Sequence, residues 1–100
     1  MLIIAGHFLV DPDHVDQLMA AAIPMMEATL LEQGCNEYSF SPHASAPGKV
    51  MLYENWDSQE ALDSHFVAPH MATFQEALGT MNFKGRDILK YEISNVGPVR

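Results

Sequence analysis

Glu54, Trp56, His65 and His70 stand close together in the chain, and their types suit proton chemistry. Imidazole titrates near neutrality, so a histidine can take a proton at physiological pH. His70 follows Pro69 directly, at a point where a helix must break, and irregular backbone there shapes a pocket. It is the leading candidate base; the plain alternative is a half-exposed helix histidine with no task. His65 precedes it by five positions, which turns a side chain by roughly 140° on a helix. The two rings therefore share no face unless Pro69 redirects the chain. This is not the spacing that pairs two zinc ligands on one helix, so no metal is expected.

Glu54 lies in an apolar run. On the helix-facing side of a strand it would share a face with Val50, Leu52 and Trp56, and would have to be paired or protonated. The competing reading is a cross-strand pair at the sheet edge. His7 sits in another apolar run, Leu2 to Val10. A satisfied core histidine is the commoner reading there, but neighbouring strands would bring Glu54 or Tyr53, and Tyr91, toward it. Trp56, Tyr53, Phe74 and Tyr91 could line an aromatic pocket or simply fill a core. Cys35 has no Lys or Arg beside it to lower its pKa and reads as a small buried hydrophobe.

These side chains need elements to hold them. Leu2 to Val10 is apolar on both faces and predicts a central strand. Asp11-Pro12 predicts a helix start, and Val15, Leu18, Met19 and Ala22 recur at helical spacing. Pro24 predicts a bend, and Gly34 a helix end. Cys35 to His43 predicts a strand with Tyr38 and Phe40 on one face. A turn-rich loop runs from Pro42 to Gly48. Lys49 to Trp56 predicts the third strand. Asp57 then caps a helix, with Glu60 at capping-box spacing, and Pro69 splits it before an end near Gly79. Arg86 to Val96 predicts the last strand, with Leu89, Tyr91 and Ile93 on one face. The order β-α-β-β-α-β is the ferredoxin-like α+β arrangement: an antiparallel sheet, helices on one side, first and third strands in the middle.

At 100 residues, a single domain spanning residues 1–100 is expected. Thirteen acidic residues against five basic ones leave a formal charge of −8, which argues against nucleic acid or an anionic membrane as partner. Hydrophobic content of 48% is high for so small a core, so association with a second copy is expected. The apolar opening has no basic leader and is too short for a membrane span, so the default location is the cytoplasm. One cysteine excludes an internal disulfide. No GxGxxG, P-loop, CxxC or HExxH is present.

The segment E-x-W-x-S-x-E-A-L-x-x-H-x-x-x-P-H-x-x-x-F, from Glu54 to Phe74, resembles the hallmark of the antibiotic biosynthesis monooxygenase domain, in particular its quinol monooxygenase branch. E-Q-G-C-N-E-Y, from Glu32 to Tyr38, resembles a second segment of that family. The resemblance implies a dimeric α+β barrel, two sheets packed face to face. It implies a small oxygenase that needs neither metal nor organic cofactor. A base deprotonates a hydroxylated aromatic, an anthrone or a reduced quinone, and the anion reduces O₂ directly. His70 is expected to be the base or proton shuttle, with Glu54 and His7 supporting it. Trp56 and Phe74 would wall the pocket, with His65, Tyr53 and Tyr91 as further substrate contacts.

The chain departs from its relatives in two places. Leu30 and Leu31 occupy the region where some members carry an arginine. Haem-degrading relatives use Asn, Trp and His where this chain has His7, His65 and His70, which argues against haem breakdown. Two other classes stay open: an isomerase or lyase acting on a small enolisable metabolite, and a non-enzymatic ligand-binding dimer module. The scarcity of Lys and Arg argues against a phosphorylated substrate.

Overall fold

A computed structural model describes residues 1–100. Strand β1, Leu2–Val10, is followed by a short 3-10 turn, Pro12–His14, and by helix α1, Val15–Thr29. Strands β2, Cys35–Pro42, and β3, Lys49–Trp56, come next. Helices α2, Gln59–Phe66, and α3, Pro69–Leu78, precede strand β4, Phe83–Glu92. The strands form one antiparallel sheet in the order β2-β3-β1-β4, with the first and third strands central as expected. The fold is ferredoxin-like, with all helices on one face of the sheet.

Alternation along the strands sets the two faces. Leu2, Ile4, Phe8 and Val10 of β1 are buried, as are Val50, Leu52, Glu54 and Trp56 of β3 and Tyr38 and Phe40 of β2. These positions meet Leu18, Ala22 and Met25 of α1, Leu62 of α2, and Phe74 and Leu78 of α3. Fully burying one such aliphatic or aromatic side chain contributes about 1.5–3 kcal/mol, so this layer is the main source of stability. The opposite face carries Ile3, Ala5, His7, Met51, Tyr53, Leu89 and Tyr91, and no element of the chain covers it.

Local chemistry explains where several elements begin and end. Asp11 Oδ1 accepts from the Asp13 amide at 3.0 Å and caps the 3-10 turn, so α1 starts at Val15 rather than at Pro12. Helix α1 runs through Pro24 as one element and stops at Thr29, whose hydroxyl bonds back to the Met25 carbonyl at 2.6 Å. The cap of α2 is Ser58, whose Oγ accepts from the Ala61 amide at 3.2 Å. Asp57, the expected cap, instead accepts from Asn36 Nδ2 at 2.8 Å. Pro69 occupies the first turn of α3 and holds Ala68 extended (φ −71, ψ 147), which separates α2 from α3. The last strand spans Phe83–Glu92, earlier than the predicted Arg86–Val96. Ile93 lies just past it, its amide bonded to the Met1 carbonyl at 3.0 Å.

Candidate active site

Between the covered face of the sheet and helices α2 and α3 lies a cavity of about 410 Å³. Its wall is mostly apolar and aromatic, with Phe8, Phe40, Leu52, Phe66 and Phe74 among the lining residues. Phe8 stacks on Phe40 at 5.8 Å, and Phe74 tilts against Phe40 at 5.2 Å. Four polar side chains reach this wall: Tyr38, Glu54, Gln75 and Arg86. Apolar walls with a few converging polar groups are the usual build of a small-molecule site.

Glu54 is the acidic group of that wall, on β3 and 6% exposed. Trp56 Nε1–H donates to its Oε1 at 2.8 Å. Burial pushes the Glu54 carboxyl up to about 7, against the Trp56 hydrogen bond and with help from the negative charge of Glu32. It therefore exchanges a proton near neutrality. Burial also raises Tyr38, and the Glu54 charge adds to that, so its hydroxyl stays protonated and able to donate. Burial lifts Cys35 to about 11, which leaves it an inert thiol.

Next to the cavity stands a second polar cluster. His65 Nδ1 and His70 Nε2 both lie 2.7 Å from the same oxygen, Glu32 Oε2. A carboxylate oxygen is an acceptor, so each ring nitrogen is placed to donate to it. The loop after α1 delivers Glu32: its amide bonds to the Thr29 carbonyl at 2.9 Å, and Gly34 then turns the chain with φ +86. A Cβ on Gly34 would lie 2.6 Å from that of Ala61, so only glycine lets this loop close on α2. His65 closes α2 and His70 opens α3, so the Pro69 break aims both rings at one point. The sequence left their meeting to whether Pro69 redirects the chain, and it does.

His65 has no solvent exposure and packs on Trp56 at 4.9 Å and Tyr38 at 5.2 Å between ring centres. Burial lowers its affinity for a proton, and the contacts with Glu32 oppose that. Its Nε2 is the one buried side-chain polar atom without a partner. The two clusters are thus joined in series: Glu32 holds His65, His65 packs on Trp56, and Trp56 holds Glu54.

The structure divides the candidate residues into three groups. Glu54 and Phe74 line the cavity, and Trp56 stands directly behind Glu54. His65 and His70 belong to the Glu32 cluster; His70 borders a smaller recess with Pro24 and Phe74. His7, Tyr53 and Tyr91 lie on the uncovered face. His7 pairs across the sheet with Met51 and Asp87, while Glu54 pairs with Ile4, so the anticipated contact of His7 with Glu54 is ruled out by alternation. Glu32, Tyr38 and Arg86 were not singled out from sequence as site residues. The E-x-G-C segment was the one signal that pointed to Glu32 and Tyr38; nothing marked Arg86.

Comparison with known proteins bears on the family and the fold. Residues 1–77 match the family described as Antibiotic biosynthesis monooxygenase. Rv0793 of Mycobacterium tuberculosis, named a putative monooxygenase, is 30% identical over 78% of this chain and 76% of its own length. YgiN of Escherichia coli, named a probable quinol monooxygenase, is 29% identical over 74% of this chain and 73% of its own. The uncharacterised protein sll1783 of Synechocystis is 29% identical over 93% of this chain, which spans only 63% of that protein's length. A crystal structure of a putative antibiotic biosynthesis monooxygenase from Deinococcus radiodurans superposes with a TM-score of 0.91 at 27% identity, covering 100% of this chain and 99% of that one. The family match over most of the chain and the close superposition converge on one assignment: the chain belongs to the antibiotic biosynthesis monooxygenase family.

Proposed function

We propose that the protein is a monooxygenase that oxidises a small hydroxylated aromatic, an anthrone or a quinol with O₂, the substrate itself being the reductant. The observation that carries this reading is Glu54, a buried carboxyl tuned to near neutrality on the wall of an aromatic cavity. Ionised Glu54 takes the acidic proton of the substrate, and the aromatic walls hold the ring while keeping water away. The Tyr38 hydroxyl and the Arg86 guanidinium supply donors for the negative charge. The carbanion gives one electron to O₂, and the radical pair recombines to a carbon-bound peroxide. In an anthrone, loss of water across the C–H and O–O bonds leaves a carbonyl: the ring CH₂ has become C=O, and the second oxygen atom leaves as water. Glu54 returns its proton to the departing hydroxide.

Glu54, rather than His70, is the base in this reading, because Glu54 borders the cavity and His70 Nε2 is held by Glu32. Trp56 is then a positioning residue. An isomerase acting on a phosphorylated metabolite finds less support, since Arg86 is the only cationic side chain on the cavity wall. A passive binding module needs no carboxyl tuned to neutrality. The uncovered sheet face, with Leu89 56% and Tyr91 48% exposed, supports a homodimer closed through that face. Location in the cytoplasm is part of the same reading; no helix is long and apolar enough to cross a membrane.

Oxygen uptake with reduced naphthoquinones and anthrones tests the proposal. Glu54→Gln keeps an acceptor for Trp56 but removes the base, and uptake above autoxidation falls roughly a hundredfold at neutral pH. His7→Ala leaves it within about twofold, since His7 lies on the other face. Uptake that survives Glu54→Gln would remove Glu54 as the base, and no uptake with any substrate would remove the oxygenase reading. Tyr91→Asp converts the dimer to monomer in sedimentation velocity; a wild type that sediments as monomer would end the dimer reading.

A further inference from the structure

We propose that Glu32, His65 and His70 bind one divalent transition-metal ion of the zinc type, at a site separate from the apolar cavity. Their three donor atoms lie within 4.8 Å of one another, and two of them contact one oxygen of the third. Two imidazole nitrogens and a carboxylate oxygen suit Zn²⁺, Co²⁺ or Ni²⁺; Mg²⁺ and Ca²⁺ prefer all-oxygen sets. The inference stands whether or not the oxygenase reading does, because none of the three residues lines the apolar cavity.

Ligation requires the two contacts with Glu32 to lengthen and the two imidazole nitrogens, within 4.8 Å of each other, to settle at the same spacing. Metal bonds of 2.0–2.1 Å in a tetrahedron hold neighbouring ligand atoms about 3.3 Å apart. The two 2.7 Å contacts must therefore each open by about 0.6 Å, from the values seen here. Glu32 can supply that movement: it lies on a loop and its side chain is 16% exposed. The His65 ring stays put, clamped by Trp56, Tyr38 and Phe66. His70 has its side chain 24% exposed, so this end of the cluster is reachable from solvent.

Two details favour an ion over a simple hydrogen-bonded brace. Both nitrogens converge on Glu32 Oε2, so the three donor atoms are gathered at one place in the fold. His65 Nε2 is also left buried without a partner. A ring packed only for its own hydrogen bonding would not strand that atom. Here the ring is oriented to present Nδ1 to the cluster.

Metal-free protein is dialysed against Zn²⁺ and analysed for bound metal, and its unfolding midpoint is followed with and without the ion. One ion per chain and a rise of several degrees are expected, because binding to the native state alone stabilises it. Co²⁺ in place of Zn²⁺ gives the intense visible absorption of a low-coordinate site. Glu32→Gln and His70→Gln keep hydrogen-bonding capacity but weaken Zn²⁺ binding roughly tenfold or more. The proposal is overturned by absence of uptake, by uptake that both variants retain, by equal binding of Mg²⁺, or by a Co²⁺ spectrum like that of the aquo ion. Should His70→Gln fail to fold, Glu32→Gln and the wild-type Co²⁺ spectrum decide the matter.

Discussion

The two faces of the sheet are built from the same strands and much the same residue types, yet only the covered one borders the aromatic cavity. On the covered face, Glu54 stands among Phe8, Phe40, Leu52 and Phe74, and loss of water raises its pKa to about 7. On the uncovered face, Tyr53 and Tyr91 are 42% and 48% exposed, and His7 is paired with Met51 and Asp87. Side-chain type alone would rank His7 above Glu54 as a base at neutral pH. Desolvation reverses that ranking, because a carboxyl needs burial before it can exchange protons near pH 7. A residue's face thus outweighs its chemistry.

The largest contrast between the faces lies in packing. Phe74→Ala empties a buried aromatic position and costs about 3–5 kcal/mol in denaturant unfolding. Tyr53→Ala on the monomeric chain costs about 0.5 kcal/mol or less. A cost for Tyr53→Ala that rises with protein concentration toward that of Phe74→Ala would place the partner on the uncovered face.

The pH dependence comes next. The Glu54 carboxyl is raised from 4.5 to about 7, so between these values the native state holds a proton that the unfolded chain has lost. Its contribution is fully present below pH 4.5 and is lost as pH rises through about 7, a change of about 3 kcal/mol. Glu54→Gln removes that slope from the unfolding free energy. A slope that survives the substitution would assign it to another group. The activity of the wild type rises over the same interval, because the ionised form is the base.

The smallest effect tests how the covered side is tied at its edge. Ser58→Ala removes the cap of α2 and costs about 1 kcal/mol by thermal unfolding. Asp57→Ala costs less than about 0.5 kcal/mol, since Asp57 bonds an exposed asparagine instead of the helix. The reverse order would restore Asp57 as the cap.

Much of the framework was legible in the residues. The apolar runs at Leu2–Val10 and Lys49–Trp56 have the bounds of β1 and β3, because continuous apolar residues bounded by turn formers leave little choice. Pro69 announced the break between α2 and α3 through its missing N–H and its restriction of Ala68. Other local signals were ambiguous: Asp57 and Ser58 are both good caps, and the backbone entering α2 chose Ser58. The start of β4 was missed because Phe83 to Gly85 carries an irregularity opposite Leu9 and Val10 that no periodicity shows.

The sequence by itself determined the strand and helix order, the interruption at Pro69 and a carboxylate, Glu54, with apolar neighbours. Only the tertiary structure decided that Glu54 faces the helices while His7 faces away. It alone brought Glu32 onto His65 and His70, separated from it by 33 and 38 positions. The physical reason is that alternation and helical period act over a few residues, whereas a pocket is closed by loops such as Leu30–Gly34. Where such a loop lands depends on packing that one chain segment cannot encode alone, here the contact of Gly34 with Ala61.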